Sequence, residues 1–248
     1  TIYISTGSGV YYTSAKADNK NYSINNFKPI QGRFEQTWGF LYFILPQTDF
    51  MEIRKKLNDP ANYYHPHSDE MILLVASSNG LYQIKDGKSI FISNHKPIFD
   101  IYQYKKDPSK IYLALGDGIA LLSYEKGQWV DYGMQFKINH PIGLLDEDSI
   151  GNLWASANYK GIYRVQKPLS KNPQVQLFNE ESGLPNVQAI QFIHYEDTLL
   201  FLSFNKYYSI QPSDSFKVYT FQEPIPEDTS ETLVDSLSWY QQIGNITS

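Results

Sequence analysis

One short phrase returns along this chain at nearly fixed intervals: an apolar β-type run, a polar turn that often holds glycine, then an aromatic-rich β-type run. It reads IYISTGSGVYY from Ile2, LYFILPQTDFMEI from Leu41, ILLVASSNGLYQI from Ile72, IYLALGDGIALLSY from Ile111, LWASANYKGIYRV from Leu153 and LLFLSFNKYYSI from Leu199. With Gly9, Asp49, Gly80, Gly118, Gly161 and Lys206 as anchors, the steps run from roughly 31 to roughly 45 residues, the spacing of propeller blades and longer than that of leucine-rich or ankyrin repeats. A hairpin cannot bury its apolar face alone, so neighbouring units must stack.

The unit over residues 139–179 is the easiest to resolve: an apolar run ending in acids, the turn SIGN, the strand LWASA, the turn NYKG, then IYRVQ and VQLFN. Its period-2 alternation and turn chemistry give four strands. The reading is an all-β chain, a β-propeller of four-stranded antiparallel blades. Six blades are expected over 1–248, in one domain or as part of a longer array; a seventh would require a unit near residues 57–69. Residues 223–242, Pro-led and acidic, read as a loop insertion. Residues 243–248 are expected to close the ring beside residues 1–5, which removes exposed sheet edges.

Composition narrows the function. Of 248 residues 42% are hydrophobic and 15% aromatic, with 20 Tyr and 14 Phe, which suits half-buried pleated surfaces. The net charge is −5 and the 21 Lys and Arg form no basic run, which argues against nucleic acid as a partner. Cysteine is absent, so disulfides, thiolate metal sites and cysteine nucleophiles are excluded. No apolar stretch is long enough for a membrane span, and the chain begins in a strand-like run instead of a signal sequence.

The stretch DEDSIGNLWASANYKGIYRV, followed by LFNEESGLPNVQAI, closely resembles the two-component regulator propeller repeat. The matching positions are Asp148, Gly151, Asn152, Leu153, Trp154, Gly161, Ile162, Tyr163, Phe178, Gly183, Leu184 and Pro185. Gly80-Leu81-Tyr82 and Gly9-Val10-Tyr11 match its second half. The resemblance implies the extracytoplasmic sensor region of a hybrid histidine kinase or triple-tyrosine-domain regulator of Bacteroidota type, periplasmic or at the cell surface. Such sensors usually carry about fourteen repeats and an output domain, neither of which is found in this sequence. Type IX secretion-like surface scaffolds share the architecture and give an alternative reading. Within the motif, Asp148, Gly151, Asn152, Trp154, Gly161 and Tyr163 are expected to be structural: glycine relieves a turn, Asp148 accepts turn N–H bonds and Trp154 fills the wedge between blades.

Catalytic motifs are absent. His65 and His67 are the only histidines at ligand-like spacing and read as loop residues, so no metal or cofactor is expected. Glu35, Asp100, Asp146 and Glu196 fall on or beside innermost strands, where propeller glycosidases place their acids, and a glycosidase is the third reading. The propeller itself is expected to be non-catalytic. Ligand contacts are assigned to the rim where an outer strand hands over to the next inner strand, through Trp38, His95, Asn139, His140 and Asn186. That polar and aromatic mix suits an oligosaccharide or other small ligand, or else a protein partner or a second copy.

Overall fold

The computed structural model describes residues 2–7, 9–13, 26–32, 34–46, 53, 71–184, 187–195, 198–203, 206–211 and 213–219. They build five antiparallel sheets in chain order. The first holds β1 (Ile2–Thr6), β2 (Gly9–Thr13) and β3 (Lys28–Pro29). The second holds β4 (Thr37–Ile44), β5 (Met71–Ser77), β6 (Gly80–Lys85) and β7 (Lys88–Ser93). The third comprises β8 (Ile98–Gln103), β9 (Lys110–Leu115), β10 (Gly118–Glu125) and β11 (Gln128–Lys137). The fourth comprises β12 (Ile142–Glu147), β13 (Leu153–Ala157), β14 (Gly161–Gln166) and β15 (Gln174–Phe178), and the fifth β16 (Gln191–Tyr195), β17 (Thr198–Ser203), β18 (Lys206–Ile210) and β19 (Phe216–Tyr219). These sheets are propeller blades.

The described residues therefore give five blades where the phrase count gives six. The Leu41 phrase is not a hairpin of its own. Phe40 to Ile44 pair with Val75 back to Met71, so β4 is the innermost strand of the blade that continues at Met71. Two of the six anchors, Asp49 and Gly80, thus fall in one blade. The stretch between Ile53 and Met71, which looked too short for an outer and an inner strand, has to supply neither. The possible seventh unit at 57–69, the insertion at 223–242 and the closing residues 243–248 all lie outside the described residues.

Alternation along the strands builds one core per blade interface. Leu73 and Val75 join Val10, Ile30 and Tyr82 between the first two blades, while their neighbours Ile72, Leu74 and Ala76 join Ile98, Leu113 and Leu122 on the other face. Tyr112 and Ala114 then turn to Leu145, Leu153 and Val165. Trp154, opposite in parity to Leu153, faces Phe178, Phe201 and Tyr208. Because the second strand of a blade is covered on both faces, β5, β9 and β13 read as nearly unbroken apolar runs. Outer strand β7 instead leaves Ile90 and Phe91 exposed.

The anchoring glycines have a common geometry. Gly80, Gly118 and Gly161 open the third strand of their blades at φ of +137°, +156° and +120°, and a Cβ there would stand 2.6, 2.1 and 2.1 Å from the carbonyl oxygens of Ser93, Phe136 and Phe178. The outer strand runs too close for any side chain.

Candidate functional site

Innermost strands β4, β8, β12 and β16 lie side by side in sequence order. Bulges at the start of the first three set off Trp38, Phe99 and Gly143 at equivalent positions. An innermost strand has one unpaired edge, whose N–H groups need acceptors. Side chains from the adjoining blade supply them. Gln103 Oε1 accepts from Ile44 N at 2.9 Å while its Nε2 donates to Ile44 O at 2.7 Å. One blade later Glu147, at the matching register, accepts through Oε2 from Lys105 N at 2.7 Å.

Asp100 and Asp146, the acids on these strands, are committed in the same way. Asp100 Oδ2 accepts from Leu145 N of the next blade at 2.8 Å and Oδ1 accepts from Ile101 N at 2.9 Å. Burial pushes its carboxyl up to about 7; the two N–H bonds oppose the rise and Asp146 adds to it. Asp146 Oδ1 accepts from Glu147 N at 2.7 Å and meets His194 Nε2, on β16, at 2.9 Å. Glu35 is exposed and accepts from Ser78 Oγ at 3.1 Å, outside this wall. Glu196 lies outside the described residues.

The rim residues share one end of the blades without converging. Trp38 is half-buried, its ring 4.9 Å from that of Phe99 on the next blade. His95 turns outward, its Nε2 3.0 Å from Asp131 Oδ1 on outer strand β11. Burial works to raise the Asp131 carboxyl, but hydrogen bonds from Ser93 Oγ, Gly133 N and His95 hold it below its ordinary value. Asn139 is exposed at φ +62°, and His140 beside it is half-buried. Among the described residues no hydrogen bond or ring contact joins Trp38, His95, Asn139 and His140 to one another. Asn186 lies outside the described residues, as do His65 and His67; among the described residues no three metal-ligating side chains cluster.

The motif residues form a single hub. Asp148 Oδ1 accepts from Asn152 N at 2.8 Å and Ile150 N at 3.2 Å; its Oδ2 accepts from Asn152 Nδ2 at 2.8 Å and Trp154 Nε1 at 2.9 Å. Gly151, at φ +93°, donates its carbonyl as acceptor to Tyr104 Oη of the preceding blade at 2.8 Å. Trp154 is 2% exposed, with ring partners Phe178 at 5.7 Å and Phe201, in the next blade, at 4.9 Å. Tyr163 is half-buried against the core between the third and fourth blades. After Phe178, Asn179 caps the 3₁₀ turn Glu180–Ser182, and buried Leu184 closes the core beneath it. The sequence reading did not mark that turn, although Asn179 and Gly183 are its signals.

No protein-family model matches the chain, and no curated protein does. Among solved structures, a catalytically inactive virginiamycin B lyase from Staphylococcus aureus with quinupristin is similar at a TM-score of 0.53 and 13% identity, over 88% of this chain and 64% of the lyase. At that identity the likeness concerns the propeller fold alone. The extracellular domain of a protein assigned as a hybrid two component system from B. thetaiotaomicron is similar at a TM-score of 0.48 and 17% identity over 67% of this chain. This chain spans 22% of that domain. No described helix is long and apolar enough to cross a membrane.

Proposed function

We propose that this chain is a ligand-binding, non-catalytic propeller of the extracytoplasmic sensor region of a two-component, hybrid histidine kinase-like protein. Its repeat phrase supports the family reading. The observation that carries the non-catalytic part is the state of the innermost-strand acids: Asp100 spends both oxygens on backbone N–H groups, and Asp146 is held by Glu147 N and His194. A glycosidase needs one carboxyl free to protonate a leaving group and another free to attack or to activate water. Recognition then falls to the rim, where Trp38 and Phe99 give an aromatic surface next to Asn139 and His140.

The test is calorimetry against a panel of oligosaccharides, paired with a reducing-end assay on the same mixtures. Binding without release of reducing ends is expected, weakened about tenfold or more when Trp38, Asn139 and His140 are all changed to Ala. Turnover that disappears in Asp100→Asn would replace the sensor reading with an enzyme.

A further inference from the structure

A cavity of about 330 Å³ opens between the fourth and fifth blades, on the face opposite the rim. Its floor and walls are Trp154, Arg164, Leu199, Phe201 and Ile210, with Asp148 at one side. Thr198, exposed at the head of β17, stands at its edge.

The polar groups here are nearly all matched. Asp148 has its N–H donors from Ile150, Asn152 and Trp154. Arg164, 8% exposed, places Nη1 2.9 Å from Asp214 Oδ1 and donates from Nη2 to Gln176 Oε1 at 2.6 Å. Its guanidinium lies over the Trp154 and Phe178 rings, at 5.8 and 5.0 Å. What remains is the Nε–H of Arg164, buried and without an acceptor among the described residues. A buried donor without a partner costs free energy that an incoming oxygen recovers.

Charge decides the class of that oxygen. Asp214 already balances Arg164, and Asp148 adds a negative charge on the far side, so a carboxylate or phosphate would enter a cavity whose one cation is spoken for. A cation would leave the donor unanswered. We propose that this inter-blade cavity is a binding site for a small uncharged molecule that offers a carbonyl or hydroxyl oxygen to Arg164 and an apolar body to Leu199, Phe201 and Ile210. The site is independent of the rim.

The experiment is ligand-observed NMR titration of the full chain with matched probes, benzamide against benzoate and valeramide against valerate. The amides should bind saturably and each carboxylate about tenfold or more weaker. Thr198→Trp, a substitution at an exposed position, fills the mouth and should abolish amide binding, while the Trp38, Asn139 and His140 triple variant keeps it. Asp214→Asn, which frees the guanidinium charge at an exposed turn, should reverse the preference toward benzoate. Carboxylates that bind the unaltered chain as well as the amides, amide binding that survives Thr198→Trp, or no saturable binding at all would each overturn the proposal. A preference unmoved by Asp214→Asn would overturn the assignment of Arg164 as the recognising group.

Discussion

Trp154→Ala tests the claim that the motif holds neighbouring blades together. The indole is 2% exposed, so its removal leaves a cavity the surrounding strands cannot close, a loss of about 3 to 5 kcal/mol for a buried Trp. Two ring contacts go with it, to Phe178 at 5.7 Å and Phe201 at 4.9 Å, each worth about 0.5 to 1.5 kcal/mol beyond area. Asp148 Oδ2 also loses the Nε1 donor. Part of the ring-contact energy is already counted in the cavity figure, so the expectation is the upper end, about 5 kcal/mol. Trp38 is the internal control: half-buried with one ring partner, it should lose about 1 to 2 kcal/mol on the same change. Urea titrations followed by far-UV circular dichroism give both values. Where Trp154→Ala does not fold, Trp154→Phe keeps most of the volume but not the hydrogen bond, and should still lose more than Trp38→Ala. Equal losses at the two tryptophans would refute the blade-wedge argument.

Gly161→Ala and Gly127→Ala separate steric closeness from backbone strain. Both glycines have positive φ, +120° and +81°, but only at Gly161 would the new Cβ meet a carbonyl, 2.1 Å away, against nothing within 4 Å at Gly127. Thermal unfolding should show about 1 kcal/mol lost at Gly127 and about 3 kcal/mol or more at Gly161; similar losses would show that strain alone rules these turns. Asp100 gives a pH signature. Its folded carboxyl titrates at about 7 against an ordinary 3.8, so its contribution is fully present below about 4 and is lost as pH rises through about 7. Relative to Asp100→Asn, the unaltered chain should lose stability across that window at up to about 1.4 kcal/mol per pH unit. Parallel stability profiles for the two proteins would refute it.

What the sequence displayed was whatever repeats. Gly80, Gly118 and Gly161 mark their turns because the outer strand's carbonyl leaves no room for Cβ, and the alternation in ILLVAS or LWASA shows because each residue faces one of two blades. The blade count went astray at Leu41, where β4 finds its partner across residues 45–70. Local periodicity carries no information about pairing at that distance. The acids show the same limit: Asp100 and Asp146 were legible as innermost-strand residues, yet their N–H partners Leu145 and Glu147 depend on how blades meet. Arg164 had no signal at all, since IYRVQ reads as ordinary alternation and the residue matters only through Asp214 and Gln176, which come from later turns of chain.

The reach of Gln103 to Ile44, repeated by Glu147 to Lys105, bears on synthesis. In both cases the cap for an innermost strand is carried by the blade that leaves the ribosome after it. A nascent chain halted after Ser93 would hold β4 with Ile44 N–H and C=O bare, an open template for another chain, until the next strand emerges and covers it. Each blade thus acts as a folding aid to its elder neighbour, and a pause in translation just after a blade leaves the edge of that blade exposed for as long as the pause lasts.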